Sequence, residues 1–263
     1  MLKGVLMGQL AGALVFLFIA GCSGVPTTFH PVKPLAPGEF SHRAFDDIVR
    51  AHAENGHVNY PDIQVDRRFT QYLDQLDRVD PNGLTKDDRL ALWINAYNAY
   101  AIKGILEGYS PSTAVGRYHY FIGRNYRIGG EAINLYDLER TILIAQFREP
   151  RIHFAIVCAS ASCPKLQPWA YEGAQLNQQL EQVAREFIND ASRNRFDRTK
   201  KIANLSKIFD WFTEDFEAQD GSLLRYVAQY VADPELAHDL TTTPYRIEFL
   251  DYDWSLNGPA PQR

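Results

Sequence analysis

Apolar and polar positions divide this chain into a helical first half and a mixed second half. Phe45, Val49 and Ala53 recur at i, i+4 and i+8, which predicts a helix over residues 41–54. "HVNYPDI" then reads as a short extended segment around Pro61. Residues 66–79 place Phe69, Leu73 and Leu76 on one face, and Asp80-Pro81-Asn82-Gly83 ends them in a turn. Thr85, with Asp88 three residues on, resembles a capping box that opens a helix over 86–108, "KDDRLALWINAYNAYAIKGILEG". The aromatic, glycine-punctuated "GRYHYFIGRNYRIGGEAINL" predicts a hairpin or two short strands about Gly129-Gly130. "LYDLERTILIAQF" returns to helix and is stopped by Pro150. The nearly continuous apolar run "RIHFAIVCA" predicts the strongest strand of the chain, suited to the centre of a sheet. Residues 172–192 form an amphipathic helix, "RFDRTKKIANL" an edge hairpin, "SKIFDWFTEDF" and "GSLLRYVAQYVA" helices, and "YRIEFLDYDWSLN" the final strand. Helices in runs with strands scattered late define an α+β fold, mainly helical, its helices packed on a small, mostly antiparallel sheet.

The amino terminus changes this picture. Met1-Leu2-Lys3 is a basic start, Gly4 to Ala20 is largely apolar and uncharged, and Ile19-Ala20-Gly21-Cys22 puts small residues before a cysteine. That order is a secretory signal rather than a structural helix. It also matches a lipobox, in which Cys22 is acylated after cleavage and the mature protein is held at a membrane by several acyl chains. A spanning anchor fits less well, because the run is short and no basic stop follows it. Ser23 after the cysteine directs the protein by analogy to the outer membrane, facing the periplasm. Residues 1–21 are therefore the signal, 22–40 a Pro-rich tether, 41–257 one globular domain and 258–263 a tail. Hydrophobic residues at 46%, with 13% aromatic, suffice for a core in that domain. A net charge of −5 without a basic block excludes a nucleic-acid footprint.

Two places concentrate chemistry. Asn95 and Asn98 stand i, i+3 on an otherwise apolar helix, where Asn is a poor helix former. They either orient a ligand or catalytic side chain, or tie the helix to a loop backbone as a buried polar network. The second place is "HFAIVCASASCPKLQPWAY", residues 153–171. On a strand, His153 and Cys158 face opposite sides, whereas Cys163 lies in a Ser-Ala-Ser-Cys-Pro loop free to fold back on the imidazole. A thiol beside an imidazole is an activated nucleophile, and Glu139 or either Asn is a candidate to orient the ring. The competing reading is a disulfide between Cys158 and Cys163, the two cysteines left once Cys22 is acylated in an oxidising compartment. Neither HExxH nor paired CxxC appears, nor a Walker, GxGxxG or GxSxG pattern, so no metal or cofactor is expected.

"LALWINAYNAYAIKGIL", "INLYDLERTIL", "HFAIVCASASCPKLQPWAY" and "IFDWFTEDF" resemble, in order, the blocks of the domain-of-unknown-function family 547, from about Leu90 to Phe216. "YDWSLN" resembles the closing strand of its bacterial lipoprotein-like members. The resemblance places the family's marked residues on Asn95, Asn98, Glu139, His153, Cys163 and Tyr171, and departs from it at Arg140, where many relatives have histidine. The expected function is an envelope lipoprotein that binds a ligand or assists assembly through a His/Cys/Glu/Asn pocket. Its partners are a membrane, through lipid on Cys22, and an envelope ligand or protein. The alternative is a Cys-His hydrolase or acyl or peptidyl transferase acting on envelope material. The usual papain or transglutaminase order, Cys before His, is reversed here.

Overall fold

Helices form in the first half where the apolar spacing places them. The structure, a computed structural model, describes residues 33–262 apart from position 37. The signal, Cys22 and tether residues 22–32 expected from the sequence lie outside the described residues. Helix α1 (Arg43–His52) packs on α3 (Arg67–Arg78), and strands β1 (Ala53–Glu54) and β2 (His57–Val58) make a minimal hairpin. The extended segment expected around Pro61 is instead helix α2 (Tyr60–Val65). Pro61 sits in its first turn, where a missing N–H costs nothing, and the Asn59 side chain accepts from the Asp62 N–H.

Helix α4 (Lys86–Leu106) is the axis of the fold. Thr85 caps it by accepting from the Asp88 N–H at 3.2 Å. From Leu90 to Ile102 every residue is buried, so the helix is covered on all sides. The aromatic stretch after it begins with helix α5 (Ala114–Phe121), which the sequence reading did not separate from the hairpin. Strands β3 (Tyr126–Ile128) and β4 (Glu131–Ile133) follow, joined through Gly129 and Gly130 at φ 60° and 81°. Two successive positive φ angles are what a tight hairpin turn requires, and glycine supplies them without strain. Helix α6 opens at Leu135–Asp137 and continues as a π-helix over Leu138–Phe147.

The strand expected over residues 151–159 does not form. Pro150–Phe154 is a 3₁₀ turn that Ala155 closes in helical backbone geometry, and Ile156 and Val157 follow as irregular chain with no strand neighbour among the described residues. The apolar run reflects burial on all sides, because helices rather than strands surround it: Phe154 stacks on Phe187 at 4.9 Å and Phe216 at 5.6 Å. Helix α7 (Leu176–Asn189) covers this segment. Strands β5 (Arg195–Asp197), β6 (Ile202–Leu205) and β7 (Arg246–Phe249) form the largest sheet. β5 pairs antiparallel with β6, and β7 pairs parallel with it. Between β6 and β7 lie α8 (Lys207–Trp211), α9 (Thr213–Asp220), α10 (Leu223–Ala228) and α11 (Pro234–Thr242). The fold is α+β and mainly helical, and the strands among the described residues are divided among three small sheets. Among the described residues no helix is long and apolar enough to cross a membrane.

Candidate functional site

Residues 150–171 carry the site, and the two asparagines of α4 hold them in place. Asn98 donates its side-chain N–H to Ala155 O (3.0 Å) and accepts from the Val157 N–H (2.8 Å). It makes the two bonds that a neighbouring strand would otherwise make. Asn95 does the same for Tyr171, donating to its carbonyl (2.7 Å) and accepting from its N–H (2.9 Å). Both asparagines are buried, so these amides serve the backbone and position the segment. Tyr171 is buried too, its ring edge-on to Trp169.

Glu139, His153, Cys158 and Cys163 line one cleft of ≈ 300 Å³. The expectation that His153 and Cys158 face opposite sides fails because it assumed a strand. His153 Nε2 lies 2.8 Å from Asp215 Oδ2, and its ring stacks on Phe212 at 3.9 Å. A carboxylate only accepts, so Nε2 carries the proton, and Nδ1 remains a buried acceptor without a partner. Burial lowers the His153 pKa, against the opposing pull of Asp215, and keeps the ring neutral. The residue orienting the imidazole is therefore Asp215 rather than Glu139 or an asparagine. It stands in the quoted "IFDWFTEDF" block, 62 residues from His153, with no signal that singled it out. Its carboxylate opens on a second cleft of ≈ 770 Å³, which His153 also lines.

Glu139 accepts from the Tyr97 hydroxyl at 3.3 Å. Burial pushes its carboxyl up to about 7, with Arg140 pulling the other way. Around these groups the cleft is aromatic. Trp211, Tyr252 and Trp254 lie within 4.5–5.6 Å of one another, centroid to centroid. Arg117 stands over Trp254 at 4.7 Å and Arg140 over Phe212 at 4.6 Å. Tyr118, Ile122, Tyr136 and Trp211 are exposed apolar side chains at its mouth.

Cys158 and Cys163 are bonded to each other, their Cα atoms 6.1 Å apart. In this form neither sulfur is a nucleophile. The intervening loop is pinned without the bridge: Ala161 N–H donates to Ser255 O (2.7 Å), Ser162 N–H to Asp253 O (3.1 Å) and Asn257 N–H to Ala159 O (3.0 Å). A bridge closing so short a loop stabilises by roughly 2 kcal/mol. Replacing both Cys158 and Cys163 by serine is therefore expected to lower stability by about 2 kcal/mol or less. The denaturant midpoint checks this, and a loss twice as large shows that the loop depends on the bridge. Among the described residues no group of three His, Cys, Asp or Glu is arranged to hold a metal ion.

An α+β domain with a disulfide-walled aromatic cleft, its segment held by two buried asparagines, is the class that fold and site define. Residues 81–188 match the family model described as "Protein of unknown function, DUF547". That span contains Asn95, Asn98, Glu139, His153, Cys163 and Tyr171 but stops short of Asp215 and the aromatic residues 211, 252 and 254. No curated protein matches the chain, and no solved structure does.

Proposed function

We propose that this chain is an envelope lipoprotein, anchored in the outer membrane by acyl chains on Cys22 and facing the periplasm, whose domain binds a ligand or assists assembly. The observation that carries the binding reading is the aromatic cleft itself. It is mostly apolar, and Glu139 and Arg140 are convergent polar groups in its wall. Pockets of this composition take the apolar part of a ligand and fix its polar part at a few points. The anilinonaphthalene sulfonate anion combines both parts and serves as a probe. Native protein is expected to bind it saturably, and Trp211→Ala and Trp254→Ala each to weaken binding about tenfold, as loss of a packed aromatic anchor does. Unchanged affinity in both variants removes the cleft from the reading. The anchor is tested separately. Labelled palmitate is expected in the wild-type protein and absent from Cys22→Ala, which stays unprocessed. A wild-type protein that never takes the label ends the lipoprotein reading.

One observation favours acyl or peptidyl transfer as a second reading. Asp215 and His153 form an oriented pair whose Nδ1 is an unused base. His153 and Cys163 line the same cleft, and reduction of the bridge frees the Cys163 thiol there. Activity on an acyl or peptide ester that appears only after reduction, and is lost in Cys163→Ala, supports it.

A further inference from the structure

The two sulfurs of the bridge are not equivalent. Both cysteines line the aromatic cleft, but Cys163 is 3% exposed whereas Cys158 is only half-buried. Two donors converge on Cys163 Sγ: the Cys158 N–H at 2.8 Å and the Tyr252 hydroxyl at 3.3 Å. Tyr252 accepts in turn from Ser160 Oγ at 2.9 Å, which leaves its own proton for a sulfur. Burial pushes the Tyr252 phenol up to about 12, so it stays a donor. Cys158 Sγ lies 3.2 Å from both hydroxyls but has no backbone donor. The Tyr252 proton can serve either sulfur, so it is the Cys158 backbone N–H that favours negative charge on Cys163 over Cys158. The loop between them keeps its bonds to residues 253–257 when the sulfurs part, so the second thiol stays close to the first. Ala159, inside that loop, is held at φ 63°, in the left-handed region that disfavours a residue with a side chain.

We infer that the Cys158–Cys163 bridge is a thiol–disulfide exchange site, open to thiols carried on apolar or aromatic polypeptide segments. The thiolate of such a segment attacks Cys158 Sγ. The Cys158–Cys163 bond breaks, its electron pair leaves on Cys163 Sγ, and a mixed disulfide forms between Cys158 and the partner. A second thiolate of the partner then attacks the partner's sulfur in that mixed disulfide and releases Cys158 as a thiolate, which takes up a proton. The partner's two thiols are oxidised to a disulfide, and the bridge is reduced to a dithiol. Exchange with another disulfide-bearing partner restores it. A leaving thiolate held by two donors departs faster, and a stabilised reduced form makes the bridge oxidising. The inference goes beyond ligand binding and needs only access to Cys158 through the cleft.

The test uses the full chain and reduced glutathione under native conditions, with adducts located by peptide mass so that Cys22 is counted apart. The wild-type bridge is expected to open without denaturant. In Cys163→Ser, oxidised glutathione is expected to form a mixed disulfide on Cys158. In Cys158→Ser, the adduct on buried Cys163 is expected to form at least about tenfold more slowly. Tyr252→Phe, which removes one hydroxyl and keeps the ring, is expected to slow opening of the bridge about threefold or more. A bridge that opens only when the chain is unfolded overturns the inference, as do equal rates at the two single cysteines. Circular dichroism on each variant separates loss of exchange from loss of fold.

Discussion

Asn98→Leu is expected to lower the free energy of unfolding by about 2–4 kcal/mol, the largest loss foreseen for a single substitution at this site. Leucine matches asparagine in side-chain branching and heavy-atom count and is a better helix former, so α4 itself does not suffer. The loss comes from the other side of the contact. Ala155 O and the Val157 N–H lie in the buried turn and irregular chain after the 3₁₀ turn, and among the described residues Asn98 is their only partner. Each buried backbone group left unpaired costs about 1–3 kcal/mol, and here two are stranded together. A lowered denaturant midpoint with an unchanged slope is the expected readout. Wild-type stability combined with altered binding of the probe contradicts this account and gives Asn98 a direct part in binding.

Glu139→Gln is expected to stabilise the protein at pH 8, by about 1–3 kcal/mol, and to leave it unchanged near pH 4. The carboxyl ordinarily titrates at 4.5, and burial pushes it up to about 7 in the folded chain. Between those values the folded state holds a proton that the unfolded state has released. Stability therefore falls as pH rises from about 4.5 to about 7 and stays low above that. The glutamine does not titrate and still accepts from Tyr97. Glu139 keeps part of its surface open to the cleft, so solvent screening trims the gain toward the lower figure. His153 contributes with the opposite sign. Its lowered pKa makes the folded state the poorer proton binder, so stability is lost as pH falls through the ordinary histidine value of 6.5. Subtracting wild type from variant at each pH cancels that contribution. A difference that does not grow between pH 4 and pH 8 contradicts the burial of Glu139.

The sequence by itself determined what depends on neighbours along the chain. The spacing of Phe69 and Leu76, the Thr85 cap and the Gly129-Gly130 turn each act within a few residues, and α3, α4 and the β3–β4 hairpin follow from them. It also bounded the redox chemistry, because two cysteines five residues apart have few partners, and the structure joins Cys158 to Cys163. Glu139, His153 and Cys163 were grouped from the sequence, whereas Cys158 was expected on the face opposite His153; all four line one cleft. Tertiary structure alone decided the rest. A buried irregular segment and a central strand have the same apolar pattern, since burial selects the side chains whatever the backbone is bonded to. Only the arrival of Asn98 from 57 residues away settled that Ala155 to Val157 pair with an amide rather than with a sheet. Asp215 reached His153 for the same kind of reason. The bond between them joins residues 62 apart, and local spacing carries no record of a contact made only when α9 packs against the 3₁₀ turn.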